Sequence, residues 1–399
     1  MYCVRKVSDD VFYVGGDDRR LALFENIHPI PSGVSYNSYV ILDDSTVLVD
    51  TADWAIGRQF ISNVEHVLAG RGLDYVVVNH VEPDHAAMLD EVLLRWPSAK
   101  VIATAKAFTF LEQFCINVDP DNRIPVKEGD TYSFGKHEFA FVQANMVHWP
   151  EVMVSFDKSD GTLYSADAFG TFGALGGKLF ADEFDFEHDL LDNARNYYCN
   201  IVGKYGTQTQ KLLEKAAGLD IKMICPLHGP VWRKDIDVCI DKYDKWSSYT
   251  PEDPGDVVIL YASMYGGTES AAQFVAQRLN ESGTDARMYD VSSTPVTTLV
   301  GESFRAGKII IASVTYNFEI FPKMHDFLSD IKMLGLKNRT VGIIYNGTWA
   351  PRCGALLRDF FTKDMKDMNL IGDDTYVKSA ASEADEEGLA ALAKEIAEA

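Results

Sequence analysis

Apolar residues in the first fifty positions form short runs separated by turn signals, a pattern that predicts antiparallel strands. These runs cover residues 11–14, 21–24, 39–42 and 46–49. From residue 57 onward, helical and strand periodicities alternate, which is typical of sheets covered by helices. The predicted helices are 57–68, 86–96, 105–114 and part of 192–217, and the predicted strands are 75–78, 101–104, 138–143, 153–156, 162–165 and 222–225.

Residues 249–256 contain two prolines, one glycine and three acids without periodicity, which predicts a linker. The predicted domains are therefore residues 1–249 and 250–399. The second domain has the rhythm of a doubly wound parallel α/β sheet, with strands at 257–262, 286–291, 308–313, 340–345 and 375–378. Residues 382–399 are acidic and rich in alanine, and they predict a surface helix without a chemical role.

Composition narrows the possible partners. The 399 residues carry a formal net charge of −22, a field that repels nucleic acid and anionic membranes. Apolar runs long enough to span a bilayer are missing, and so is the apolar stretch of a signal peptide, so we expect a cytoplasmic protein. The six cysteines form no C-x-x-C pair and are expected to be reduced; a rubredoxin or iron–sulfur carrier would have to be a separate protein.

Metal-ligating residue types concentrate after the predicted strand 75–78. His80, Glu82, Asp84 and His85 share one strand-to-helix loop, and His148, Asp167 and His228 stand at similar junctions. Four imidazoles and three carboxylates without a thiolate suit iron or manganese better than structural zinc. The isolated His66, His137 and His325 are expected to be ordinary surface or core residues.

A second group of residues predicts a phosphate site. The glycine- and hydroxyl-rich turn 263–269 precedes a helix predicted at 270–279, whose N-terminal N–H groups and dipole favour an anion. The turn lacks the P-loop and dinucleotide-binding motifs. Loops 313–317 and 345–350 follow the third and fourth strands of the same predicted sheet, where flavodoxin-like folds bind FMN.

The order of the metal-ligating residues resembles the metallo-β-lactamase superfamily, whose loop reads H-x-H-x-D-H. With Glu82 in place of the second histidine, the loop resembles the H-x-E-x-D-H of flavodiiron proteins. The resemblance covers essentially the whole chain and implies a metallo-β-lactamase-like αβ/βα sandwich followed by a flavodoxin-like domain. It implies that His80, Glu82 and His148 hold one iron, that Asp84, His85 and His228 hold the other, and that Asp167 bridges them.

The resemblance also implies an FMN site in the second domain, with Trp349 stacking on the flavin ring. The cofactor-binding residues that it implies are Ser263, Met264, Tyr265, Gly266, Gly267, Thr268, Ser313, Val314, Thr315, Tyr316, Asn317, Asn346, Gly347, Thr348 and Trp349. For Trp349 alone, the alternative is a core aromatic residue.

The function implied by the resemblance is reduction of O₂ to water, of NO to N₂O, or of both, with electrons relayed through FMN. It implies a head-to-tail homodimer, with further pairing to a tetramer left open, and rubredoxin or a reduced deazaflavin as electron donor. His28, Tyr197 and Tyr198 are candidate proton or hydrogen-bond donors near the metals. Two alternatives stay open: a dinuclear zinc hydrolase of the same superfamily, and a flavin module with a decayed metal site.

Overall fold

The computed structural model describes residues 2–399. Backbone contacts divide the chain into two compact units, the first ending at Asp244 and the second beginning at Lys245. The boundary predicted after residue 249 stays a prediction. Each unit has a sheet-based apolar core of its own.

Sixteen strands and seven helices belong to the described part of the first unit, the last helix running across the division. The strands are β1 (Arg5–Lys6), β2 (Val11–Tyr13), β3 (Gly16–Asp18), β4 (Leu23–Phe24), β5 (His28–Pro29), β6 (Val34–Tyr36), β7 (Tyr39–Leu42), β8 (Thr46–Val49), β9 (Tyr75–Val77), β10 (Lys100–Thr104), β11 (Arg123–Val126), β12 (Thr131–Ser133), β13 (Glu138–Gln143), β14 (Met153–Asp157), β15 (Thr162–Tyr164) and β16 (Met223–Cys225). The helices are α1 (Gly57–Leu68), α2 (Pro83–Ala86), α3 (Leu89–Arg95), α4 (Ala105–Gln113), α5 (Leu191–Tyr197), α6 (Gly206–Ala216) and α7 (Ile236–Ser247).

Two large sheets form the first unit. One has the order β1-β2-β7-β8-β9-β10-β11, antiparallel up to β8 and parallel from there; the other has the order β12-β13-β14-β15-β16. Apolar residues of both sheets meet in one buried cluster, for example Ile41 and Ile102 with Phe139 and Phe141. The helices α1 and α4 pack against β7 and β10. This arrangement confirms the predicted sandwich.

The second unit is built on one sheet. Its strands are β17 (Asp253–Tyr261), β18 (Ala286–Asp290), β19 (Ala306–Tyr316), β20 (Glu319–Ile320), β21 (Arg339–Asn346), β22 (Met368–Leu370) and β23 (Thr375–Val377), and its helices are α8 (Gly267–Glu281), α9 (Val296–Arg305), α10 (Pro322–Leu334), α11 (Cys353–Asp359) and α12 (Glu386–Glu398). The strands β18-β17-β19-β21-β22 are parallel, and β23 pairs with β21. This is the strand order of a flavodoxin-like sheet, as predicted.

Two predicted elements need correction. The helix predicted at 86–96 is two helices, α2 and α3, because the carbonyl of His85 accepts hydrogen bonds from the N–H and hydroxyl of Thr51 instead of continuing the helical pattern. The linker predicted at 249–256 is partly strand, since β17 already begins at Asp253. Arg305 holds this end of β17 through Asp253 at 2.9 Å and Asp256 at 2.6 Å.

The C-terminal helix α12 is more than the surface helix predicted for residues 382–399. Its apolar face is buried and packs against α8 and the sheet through Leu389, Leu392, Ala393 and Ile396. Within residues 2–399, helices with the length and apolar character needed to cross a membrane are not found.

His137 is a fully buried residue of the first unit, as its isolated position predicted. Its Nδ1 contacts the carboxylate of Asp157, and its Nε2 lies 3.2 Å from the Asp10 Oδ2. Burial alone would lower the pKa of His137, but these two carboxylates outweigh it and raise the pKa to about 9. At neutral pH the protonated His137, which directly precedes β13, therefore forms ion pairs with Asp157 on β14 and with Asp10 next to β2.

The ion pairs of His137 predict that the free energy of unfolding depends on pH. Since the unfolded pKa is close to 6.5, protonated His137 stabilises the fold fully below that value, and its contribution is lost as the pH rises through about 9. Compared with His137→Gln, the wild-type free energy of unfolding should lose on the order of 2 kcal/mol between about pH 6 and about pH 10. Urea unfolding of both proteins measures this difference, and parallel curves would contradict the assignment.

Candidate functional site

The seven predicted metal-ligating residues lie in four segments that follow strands of the first unit, and two of them, Asp84 and His85, belong to the short helix α2. His80 to His85 follow β9, and His148, Asp167 and His228 follow β13, β15 and β16. All seven side chains come together there in two groups. Because the strands are short and buried, their carboxyl ends fix where these segments begin.

The first group consists of His80, Glu82, His148 and Asp167. The His148 Nε2 lies 3.0 Å from the Glu82 Oε2 and 3.1 Å from the Asp167 Oδ2. The His80 Nε2 lies 3.2 and 3.4 Å from the same two oxygens. Four donor atoms therefore surround one point.

The second group consists of Asp84, His85 and His228, and it is completed by the other oxygen of Asp167. The Asp84 Oδ2 lies 3.3 Å from the Nε2 of each of the two histidines, which are 3.1 Å apart. The Asp167 Oδ1 lies 3.2 Å from the His85 Nε2 and 3.8 Å from that of His228. The carboxylate of Asp167 thus turns one oxygen to each group.

These spacings fit metal ions. Ligand atoms about 2.1 Å from a shared ion stand about 3.0 to 3.4 Å apart in octahedral or tetrahedral arrangements. The carboxylate oxygens of Asp84 and Asp167 are buried and make no hydrogen bond within residues 2–399. Buried anionic oxygens are costly unless a cation compensates them. The donor set therefore fits two cations that share Asp167.

The protonation of the ligand side chains follows the same electrostatics. Burial would raise the pKa of Asp167, but the imidazoles of His85 and His80 hold it well below its usual range. Burial likewise opposes protonation of His148, yet Asp167 and Glu82 raise its pKa to about 9. Without metal, His148 therefore carries a proton, which an entering cation displaces.

Partners outside the two groups orient the imidazoles. The His80 Nδ1 lies 2.7 Å from the Glu151 Oε1, and the His228 Nδ1 donates to the carbonyl of Ser35 at 2.8 Å. Both contacts leave Nε2 free to face a metal. Sequence analysis missed Glu151 and Ser35, because their positions 71 and 193 residues away from their partners carry no local signal.

The three further candidates lie in different environments. The ring of Tyr197 stands 5.4 Å from that of His228, and its buried hydroxyl has no hydrogen-bond partner within the described chain. The ring of Tyr198 packs instead on Tyr243 at 4.9 Å. His28 is buried beside Phe172, and burial lowers the pKa of His28 to about 4, so it is neutral at pH 7. Tyr197 therefore contacts the metal-ligating residue His228 through its ring.

Glu25 is a further residue at this site that the sequence did not single out. Its Oε2 lies 3.8 Å from the His28 Nε2. Burial and the neighbouring Glu82 carboxylate raise the pKa of Glu25 to about 7. Glu25 therefore adds a carboxyl group beside the first group of ligands.

In the second unit, the three predicted cofactor loops line one cavity of about 520 Å³. Of the fifteen predicted residues, all line it except Gly266, which stands between two that do, and the buried Ser313. The cavity also has four lining residues that were not predicted: Phe318, Ala350, Ser379 and Ala380. The loops therefore meet at the carboxyl ends of β17, β19 and β21.

The part of this cavity at the N-terminus of α8 is a tight backbone turn. Helix α8 begins at Gly267, after Gly266 with a φ of 89°, and the Gly266 N–H donates to the Ser263 hydroxyl at 3.1 Å. A Cβ on Gly267 would lie only 2.0 Å from the carbonyl oxygen of Ser379. Asn346 holds that carbonyl with a 2.8 Å hydrogen bond. Glycine at 267 thus allows the two loops to touch.

Exposed aromatic rings also line the cavity. Trp349 is 70% exposed, so the alternative of a core aromatic residue is wrong. Its ring meets Phe318 edge to face at 5.3 Å, and Tyr265 stands 96% exposed at the same cavity. Planar apolar walls of this kind suit a flat aromatic ring.

Comparison with known proteins agrees with this two-unit architecture. Residues 34–229 match the ODP family of β-lactamase domains, and residues 259–388 match the flavodoxin family. A nitric oxide reductase from Moorella thermoacetica is 31% identical over 342 residues, 85% of this chain and 84% of that one. The structure of rubredoxin oxygen:oxidoreductase from Desulfovibrio gigas matches with a TM-score of 0.91 at 29% identity over 99% of this chain and 98% of that one. The flavodiiron protein from Giardia intestinalis matches with a TM-score of 0.88 at 25% identity over 98% and 96%.

Fold and site together define an oxidoreductase that joins a β-lactamase-like unit with paired metal-ligating groups to a flavodoxin-like unit. Both units match these relatives over nearly their whole length. The chain belongs to the flavodiiron protein family.

Proposed function

We propose that this chain reduces O₂ to water, NO to N₂O, or both, at two iron ions with electrons delivered through FMN. The observation that carries the proposal is the Asp167 carboxylate, which turns one oxygen to each ligand group in a chain that also has a flavodoxin cavity. The names of the relatives support the choice of substrates.

The two ligand groups are proposed to hold one iron each. His80, Glu82 and His148 hold the first, Asp84, His85 and His228 hold the second, and Asp167 bridges. Nitrogen and carboxylate oxygen donors without thiolate suit iron, and carboxylates stabilise its ferric state. A zinc hydrolase would leave the flavodoxin cavity without a role. When bound, two adjacent irons supply the redox chemistry for a small diatomic gas.

FMN is proposed to occupy the cavity of the second unit. The turn from Ser263 to Thr268 offers its N–H groups and the N-terminus of α8 to the phosphate. The loops at 315–317 and 346–349 stand beside the ring, with Trp349 as its stacking partner. Such residues bind and orient the flavin, whose one-electron chemistry connects the donor to the metal site.

The protein's own contribution at the metal site includes Tyr197. Burial and then the carboxylates of Asp167 and Asp84 raise the pKa of Tyr197, so its hydroxyl keeps its proton. Because the Tyr197 ring lies beside that of His228, its unpaired hydroxyl would be a hydrogen-bond donor close to the gas-binding site when the two ligand groups hold their metals. Tyr197→Phe should lower turnover about tenfold, the worth of one such hydrogen bond.

Tyr198→Phe is the matched control for that prediction, because its ring packs on Tyr243. Gas electrodes measure O₂ and NO turnover of both variants at equal iron and FMN content. Equal turnover of Tyr197→Phe and wild type with both gases would remove Tyr197 from the mechanism.

Rubredoxin is the proposed electron donor, with a reduced deazaflavin as the alternative, and the assembly is proposed to be a head-to-tail homodimer. The exposed rings at the cavity mouth support a docking role, since apolar patches of this kind mark interaction surfaces. Sedimentation analysis gives the number of chains, and stopped-flow reduction by each donor identifies the faster one.

The deciding experiment is metal and flavin analysis of the protein purified without added metal. About two irons and one FMN per chain, with O₂ or NO consumption on reduction, would support the proposal. Two zinc ions without flavin, or gas consumption that survives removal of the iron, would overturn it.

A further inference from the structure

The ligand imidazoles differ in the hydrogen-bond partner of Nδ1, the nitrogen that faces away from the metal position. The Nδ1 of His80 faces the carboxylate of Glu151, whereas the Nδ1 of His228 donates to the neutral carbonyl of Ser35. The Nδ1 of His85 has no hydrogen-bond partner in the described chain. A carboxylate on the far nitrogen makes an imidazole a stronger electron donor than a carbonyl does. His80 is therefore set apart from the histidines of the second group.

Glu151 is fixed in this position. It is 1% exposed, and its Oε1 also accepts the Val81 N–H at 3.2 Å. The backbone carbonyl of Glu151 accepts the Thr104 hydroxyl at 3.1 Å. Its second carboxylate oxygen makes no hydrogen bond within residues 2–399. The carboxylate of Glu151 thus acts mainly on the imidazole of His80.

Another buried carboxylate, Asp50, lies near the second group, and its charge interacts with that of His85. Asp50 accepts N–H groups of Asn79, from the backbone at 2.7 Å and the side chain at 2.8 Å, and the backbone N–H of His80 at 3.3 Å. It makes no hydrogen bond to a ligand imidazole. Apart from the shared Asp167, the carboxylates in contact with the ligand imidazoles are Glu82 and Glu151 in the first group and Asp84 in the second. Glu25 lies beside the first group.

We propose that Glu151 is a positioning residue that makes the two metal positions electronically unequal, so that the iron held by His80, Glu82 and His148 is the harder one to reduce. The inference rests on the proposed diiron function. Greater negative charge stabilises the ferric over the ferrous state, so the iron beside Glu151 has the lower reduction potential.

The test is an anaerobic redox titration of the holoprotein followed by Mössbauer and EPR spectroscopy. Glu151→Gln keeps the hydrogen-bond geometry and removes the charge. In this variant the lower of the two iron potentials should rise toward the upper one, while the upper potential and the FMN couples stay unchanged. Iron affinity should fall about tenfold to 100-fold. Glu151→Asp keeps the charge at a greater distance and should shift the same potential less, which preserves the test if Glu151→Gln does not fold.

Asp157→Asn is the matched control, because Asp157 is also a buried carboxylate on a histidine, His137, but it lies outside the two groups formed by the seven proposed iron ligands. Its iron potentials should equal those of wild type. A Glu151→Gln titration that superposes on wild type, or one that moves only the upper potential, would overturn the inference while the diiron function stands. A wild-type chain without an iron pair would overturn both.

Discussion

Asp167→Asn is expected to destroy the paired metal centre. The substitution keeps the volume of the side chain but removes the charge that faces His80, His85 and His148, and an amide cannot turn an anionic oxygen to each group. Iron content should fall from about two per chain to one or none, and gas reduction should fall by more than the roughly 100-fold typical of outer partners of a metal. FMN content should stay unchanged, since the cavity lies in the other unit.

Asp9→Asn is the control for this experiment. Asp9 is a fully solvated carboxylate of the same unit, paired with Lys6, and its replacement should leave iron and turnover at wild-type values. Elemental analysis and gas electrodes provide the two measurements. Two irons per chain and near wild-type turnover in Asp167→Asn would show that the bridge is not required.

Gly267→Ala is expected to weaken the binding of FMN. The new Cβ would stand 2.0 Å from the Ser379 carbonyl and 3.3 Å from the Ala380 Cα, so backbone has to move. Ser379 already has a φ of 69°, and its hydrogen bonds with Asn346 would be strained or lost. Overpacking of this kind costs about 1 to 3 kcal/mol, which corresponds to roughly a tenfold to 100-fold loss of FMN affinity.

Gly255→Ala provides the matched control, because a Cβ there meets no atom within 4 Å and lies in the same sheet. Flavin fluorescence on titration with FMN measures both affinities. Iron content serves as an internal reference and should not change in either variant. Equal FMN affinity of Gly267→Ala and Gly255→Ala would place the phosphate elsewhere.

Sequence patterns predicted the architecture well because most strands of both units contain an apolar run next to a clear turn. They failed where a distant contact decides the local structure. Thr51 interrupts the helix after His85, and Arg305 extends β17 into the predicted linker. Neither partner is visible from periodicity, since a hydrogen bond or ion pair across the fold leaves no local signal.

The same limit applies to the site. The predicted metal-ligating residues are brought together, as strand-to-loop junctions suggested, although their binding of iron stays a prediction. Glu151 and Ser35 were not predicted, because each acts through a contact with a histidine far away in sequence. Ser379 was not predicted, because its role in the cavity comes from its closeness to Gly267 and not from a motif.

The position of the metal-ligating loops has a consequence for mechanical integrity. His80 to His85 extend from the seven-stranded sheet, whereas His148, Asp167 and His228 extend from the five-stranded one. His85 and His228, 143 residues apart in sequence, face each other across one group. Metals bound there would act as a cross-link, and a covalent link closing so long a loop would stabilise a fold by about 5 kcal/mol. A metal pair at this position would therefore also join the two sheets of this unit at one edge.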